Sequence, residues 1–229
     1  MGYIIVIEGT DGSGKQTQTE KLYNRLINDG YNVARQSFPN YSSPSSEPVK
    51  MYLGGELCEN PSDLNAYQTS SLYAVDRLCT YQKTLKNFYE SGGLIIFDRY
   101  VESNMLHQAG KIKDKVARDN FLAWLDNFEF EVLKLPRANQ VVFLDVPPQV
   151  SIRLANARAD LKVGKSKDIH EQDPQHLIDA YNAGQYVANK YGWTKINCIR
   201  DNNLKSIDEI SDEIYAAITK DLERDLQLY

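Results

Sequence analysis

Residues 3–17 run Tyr3-Ile4-Ile5-Val6-Ile7-Glu8-Gly9-Thr10-Asp11-Gly12-Ser13-Gly14-Lys15-Gln16-Thr17. An apolar run passes directly into a glycine-rich loop, the pattern of a buried strand feeding a phosphate-binding turn. Gly9, Gly14 and Lys15 keep the spacing of a Walker A loop, G-x-x-x-x-G-K-[ST], and Gln16 stands where Ser or Thr follows the lysine. Glycines let the backbone curl so that successive N–H groups point at phosphate oxygens. The helix that follows adds unpaired N–H groups and the positive end of its dipole. Lys15 contributes a compact charge near the β and γ phosphates. The hydroxyl usual after the lysine binds a metal, and the amide oxygen of Gln16 is a weaker substitute. Thr17, one position on, points about 100° away on a helix. A ligand-free glycine turn would need neither Lys15 nor the amphipathic helix behind it.

Outward from this loop, apolar strands alternate with helical patterns, the signature of a parallel sheet. Residues 15–29 place Leu22, Leu26 and Ile27 on one face, with Gly30 as the stop. Residues 32–36 form a short second strand. The stretch 37–48 carries three prolines and reads as loop. Asn60-Pro61 opens a long helical stretch to about Glu90, ended by Gly92-Gly93. Leu94-Ile95-Ile96-Phe97 is a continuous apolar strand running into Asp98-Arg99. Residues 115–135 are helical, with Phe121, Leu125, Phe128 and Val132 as the core stripe. Strands at 141–144 and 194–199, helices at about 148–159 and 174–190, and a terminal helix behind the capping box Ser206-x-x-Glu209 complete the chain. No repeat or low-complexity linker divides it, so residues 1–229 read as a single domain.

The bulk numbers narrow the partners. With 229 residues, a net charge of −5 and three cysteines in no metal-binding spacing, the chain does not read as a nucleic-acid binder or a disulfide scaffold. No secretory signal and no apolar run of membrane length is seen, which predicts a cytoplasmic protein. An acidic protein that binds phosphates must gather its positive charge locally, which makes clustered arginines and lysines informative.

Three such places exist. Asp98-Arg99 ends a buried strand on the loop's sheet edge, where open α/β sheets place ligands. Arg99 has the planar fork suited to a second phosphate, and Asp98 could orient it or reach a metal through water. Tyr73 and Arg77 share a helix face at i, i+4, one to stack on a flat base and the other to hydrogen-bond its edge. Lys162-Val163-Gly164-Lys165-Ser166-Lys167 is a basic loop, either plain solvated surface or a lid that closes on a transferring phosphoryl group.

Taken together these residues resemble the thymidylate (dTMP) kinases, P-loop nucleoside monophosphate kinases, in their bacterial form. The resemblance rests on Ile7-Glu8-Gly9-Thr10-Asp11-Gly12-x-Gly14-Lys15, Phe38-Pro39, Leu72-Tyr73-Ala74-x-Asp76-Arg77, Asp98-Arg99-Tyr100-Val101-x-Ser103 and Leu144-Asp145-Val146-Pro147. It runs over nearly the whole chain. It implies a three-layer α/β fold, a five-stranded parallel sheet flanked by helices, with a mobile lid at about 160–172. It further implies Mg2+-dependent transfer of the ATP γ-phosphoryl group to dTMP, giving dTDP, by a homodimer.

Residue by residue, the resemblance places ATP phosphates on Gly9, Gly12, Ser13, Gly14, Lys15, Gln16, Thr17 and Arg158. It places dTMP on Asp11, Phe38, Pro39, Tyr41, Tyr73, Arg77, Arg99, Ser103, Asn104 and Gln108. Lys15, Arg99, Asp11 and Lys165 become the catalytic set, and Asp11 with Glu171 the metal ligands. His107 and His170 stand where tyrosines are common in the family. Two other readings stay open. One is a kinase of another nucleoside or monophosphate, with Glu8 as base for a nucleoside. The other is a non-catalytic nucleotide-binding protein whose metal site was lost at Gln16.

Overall fold

The computed structural model describes residues 1–60, 62–153, 174–201 and 203–226. Five strands, β1 (Tyr3–Glu8), β2 (Val33–Ser37), β3 (Leu94–Asp98), β4 (Gln140–Asp145) and β5 (Thr194–Asn197), form one sheet in the order β2-β3-β1-β4-β5. Every pairing in it is parallel. β1 and β3 are buried along their whole length, as their unbroken apolar sequences require of strands covered on both faces.

The period of two divides each strand between two cores. Ile4 and Val6 of β1 and Ile95 and Phe97 of β3 face one cluster, with Phe121, Leu125 and Val187. Tyr3, Ile5, Ile7, Leu94 and Ile96 face the other, with Leu22, Leu26, Ile214 and Ile218. The second cluster belongs to α1 (Lys15–Asn28) and the terminal helix, numbered α9 here (Ile207–Leu226). The first is covered by α3 (Ala66–Thr80), α5 (Val101–His107), α6 (Lys115–Asp126) and α8 (Pro174–Tyr191). Short helices α2 (Glu47–Leu53) and α4 (Lys86–Glu90), and α7, described over residues 148–153, complete the described set, and β6 (Ile199–Arg200) pairs with β7 (Asn203–Leu204) as a small hairpin.

Several predicted bounds move. The first long helix past the proline loop starts at Ala66, not at Asn60, because Asn65 and Gln68 form the cap: Gln68 N donates to Asn65 Oδ1 at 2.9 Å and Asn65 N to Gln68 Oε1 at 3.0 Å. Pro61 lies outside the described residues. Helix α3 does continue to Glu90, through a π-turn at Tyr81–Leu85. A second π-turn, Asn127–Val132, shifts the face of the helix after α6, so Phe130 is buried and Val132 is exposed. On α1, Leu22 and Leu26 are buried but Ile27 is exposed. The capping box at Ser206 and Glu209 is formed. Helix residues beyond 153 and the lid at about 160–172 lie outside the described residues.

Candidate active site

The phosphate loop leaves β1 at the carboxyl edge of the sheet. Gly9 has no room for a side chain, since a Cβ there would sit 2.6 Å from Ser13 Oγ. Gly14 caps α1 in the left-handed conformation, with φ 90°. No side chain caps α1 and no acidic residue lies in its first turn, so its unpaired N–H groups and dipole stay available to an anion. Lys15 curls back, its Nζ donating to the Thr10 carbonyl at 2.8 Å and lying 3.9 Å from Asp11. Burial, and then the Arg99 charge, lower its pKa to about 8. The buried Thr10 and Ser13 hydroxyls have no hydrogen-bond partner among the described residues. Gln16 is exposed and Thr17 half-buried on the first turn of α1.

Beside the loop opens a cleft with about 630 Å³ of empty space, part of it open to solvent. It is lined by Asp11, Phe38, Pro39, Tyr41, Tyr73, Arg77, Arg99, Ser103, Asn104 and Gln108, together with Leu53, Tyr100 and His107. All ten residues expected around a nucleoside monophosphate therefore meet at one place. Volume and mixed lining suit a small polar-edged ligand. Arg158, Lys165 and Glu171 lie outside the described residues.

Local chemistry explains the convergence. Asp76, one residue before Arg77, accepts from Asn40 N at 2.7 Å and from Ser45 Oγ at 2.7 Å, pinning the loop that carries Phe38, Pro39 and Tyr41. Arg77 is fully buried. Its Nε donates to Glu129 at 2.9 Å, Nη2 to the other Glu129 oxygen, and Nη1 to the Tyr100 carbonyl at 3.2 Å. A guanidinium carries five N–H groups, so two remain beyond these three bonds. Glu129 arrives on the second π-turn, and no spacing in the sequence announces it.

Arg99 has φ 69°, an unusual backbone for a side chain of its size. It pairs with Asp11 through Nη2. Asp11 thus belongs to the phosphate loop and lines the cleft as well. Glu8 is buried, and burial raises its pKa against the pull of Arg99 and Lys15. Its Oε1 accepts from Ser103 Oγ at 2.6 Å and Tyr100 N at 3.3 Å, and its Oε2 from Gly9 N at 3.3 Å. Glu8 ties the end of β1 to the start of α5 and does not line the cleft.

The arrangement is a polyphosphate loop and a nucleotide-sized cleft sharing one carboxylate and one arginine. Comparison with known proteins points the same way. In the Mycobacterium tuberculosis protein named "Thymidylate kinase", 173 residues align at 31% identity, covering 75% of this chain and 79% of that one. In the Thermococcus gammatolerans protein named "Probable thymidylate kinase", 162 residues align at 33% identity, covering 69% of this chain and 73% of that one. The Pyrococcus abyssi protein of the same name aligns over 160 residues at 29% identity, covering 70% of this chain and 73% of that one. The sequence model of the thymidylate kinase family matches residues 7–197, from the last apolar residues of β1 to the end of β5, and the chain belongs to that family.

Proposed function

We propose that the protein transfers the γ-phosphoryl group of ATP to dTMP, giving dTDP, a step toward dTTP. The observation that carries this reading is the Asp11–Arg99 pair, which joins the phosphate loop to the cleft. Donor phosphates would lie on the N–H groups of residues 9–17 and on Lys15. The dTMP phosphate would meet Arg99 and Tyr41, and its base Phe38, Tyr73 and Arg77, with Ser103, Asn104 and Gln108 on further edges. Arg99 would then bridge donor and acceptor. In-line phosphoryl transfer asks the protein chiefly for positioning and charge neutralisation, and the acceptor oxygen is already anionic. No side chain has to act as a strong base.

Among the described residues no group of three His, Cys, Asp or Glu side chains could hold a metal on its own. That fits Mg2+, which binds through one or two carboxylates, waters and the nucleotide's phosphates. Asp11 is the carboxylate proposed for it, and the lid's Glu171 is the proposed second. Bound Mg2+ would neutralise charge on the β and γ phosphates. Arg158, just before the lid, and Lys165 on it would add positive charge within a single-domain enzyme. A homodimer is proposed from the family likeness and from the outer face of α3, where Val75 and Cys79 are exposed one turn apart. No described helix is long and apolar enough to cross a membrane. A cytoplasmic setting is proposed from that and from the unpaired Cys58, Cys79 and Cys198.

The engaged oxygens of Glu8 favour a monophosphate acceptor over a nucleoside, which would need that base. ADP release measured with dTMP, thymidine, dUMP, dCMP and AMP tests the reading. dTMP should be fastest and dUMP poor but active, since one methyl in an apolar pocket is worth about 1–3 kcal/mol. Faster turnover of thymidine or AMP would refute the assigned acceptor. Tight binding of ATP and dTMP without turnover in excess Mg2+ would establish a non-catalytic protein.

A further inference from the structure

The Arg99 side chain must be held by its neighbours, because its left-handed backbone does not by itself favour any useful direction. Nη2 is engaged by Asp11. Nη1 lies 3.1 Å from His107 Nε2, at the end of α5. His107 Nδ1 lies 3.2 Å from His176 Nε2, in the first turn of α8. The two imidazoles are buried, their centroids 5.4 Å apart and their planes nearly parallel at 20°.

Chemistry orders this chain. A guanidinium only donates, so His107 Nε2 must offer its lone pair. The ring's proton is then on Nδ1, where it is donated to His176 Nε2, and the His176 proton is on Nδ1 in turn. Each link faces one way. Two neutral rings hold a cation without adding a second positive charge beside it.

We propose that His107 and His176 are positioning residues for Arg99, a tautomer-locked chain that fixes one arm of its guanidinium while Asp11 fixes the other. The fork is then aimed before either phosphate arrives, and preorganisation of this kind is what phosphoryl transfer draws on. The inference rests on the bridging role of Arg99 proposed above. His176 does not line the cleft, and its hydrogen-bonded route to Arg99 runs through His107.

The test starts with the unmodified protein. The chain has three histidines, so long-range 1H–15N spectra of the full-length, imidazole-labelled protein can resolve every ring, with His107→Gln and His176→Gln for assignment. His107 should carry its proton on Nδ1 near neutral pH, and Arg99→Ala should return it toward the Nε2–H form. Kinetically, His107→Phe and His176→Leu should each lower kcat about tenfold, the scale of one lost hydrogen bond to a charged group. The KM for ATP should move by less than about twofold, since an interaction used mainly in the transition state lowers kcat and leaves uniform binding alone. His107→Gln and His176→Gln, whose amide oxygens can accept where the ring nitrogens do, should recover most of the loss.

An Nε2–H tautomer for His107 with Arg99 intact overturns the chain, and that spectrum needs no variant to fold. So does an effect of His107→Phe confined to the KM for dTMP, the mark of a mere pocket wall. If Arg99→Ala keeps its kcat, the bridging role of Arg99 fails first. If Arg99→Ala loses kcat while His107→Phe and His176→Leu keep theirs, only the chain fails.

Discussion

Glu102 shows what one residue can cost a fold. It is buried on α5, its Oε2 has no hydrogen-bond partner among the described residues, and burial raises its pKa to about 8 from an ordinary 4.5. A carboxyl with a raised folded pKa holds its proton longer when folded than when unfolded. Stability is therefore unpenalised below about pH 4.5, falls as pH rises from there, and carries the full cost above about pH 8. Glu102→Gln mimics the protonated acid. Urea unfolding should find it equal to the parent near pH 4 and more stable at pH 8.5, by an amount on the order of a few kcal/mol. An equal gap at both pH values would show that the carboxyl is not the cause. The site was legible at this scale wherever chemistry dictates residue type: glycines around phosphate, Lys15, and Arg99 at a strand end. It was not legible for Glu129 or His176, whose partners Arg77 and His107 are 52 and 69 residues away in sequence. Such pairs exist only once the helices have packed.

Among the elements, strands were read more accurately than helix faces. An apolar run such as Leu94–Phe97 has one reading when both its faces are covered. A helix face depends on an unbroken 3.6-residue period, and each π-turn adds a residue to it. That is why Phe128 and Val132 were expected inside, where Phe130 and Glu129 are found. The start of α3 shows a different miss: Asn60-Pro61 is a good start signal, yet Asn65 with Gln68, three positions on, makes the stronger one. Asn65→Ala should lower stability by about 1 kcal/mol, measured by urea denaturation. Turnover with dTMP should survive, because Tyr73 and Arg77 lie about two and three turns further along and are held by packing. A loss of activity without a loss of stability would mean that the cap acts on the site itself.

For the molecule as a whole, the fold class followed from alternation of strands and helices, and strand order did not, since parallel neighbours are joined through crossovers of any span. The outer face of α3 is a feature of the molecule's exterior rather than of its core. Val75 there is 48% exposed, one turn before the exposed Cys79. If this face joins two copies, Val75→Asp would place two carboxylates in an apolar contact. Sedimentation velocity should find the parent at twice the chain mass and the variant at the chain mass, both with native circular dichroism. A parent that sediments as a monomer at micromolar concentration would remove the dimer from the proposal.

The position of β1 has one more consequence. The strand that bears the phosphate loop is bonded along both edges, to β3 and to β4, with its side chains divided between the two cores. Its amides have no edge from which to fray, so the root of the loop belongs to the last cooperative unit to open. Loops around the cleft can fluctuate, be cut or be remodelled while that root stays shut. The molecule can lose substrate discrimination piecemeal, whereas the anchor of its phosphate loop holds until the whole chain comes apart.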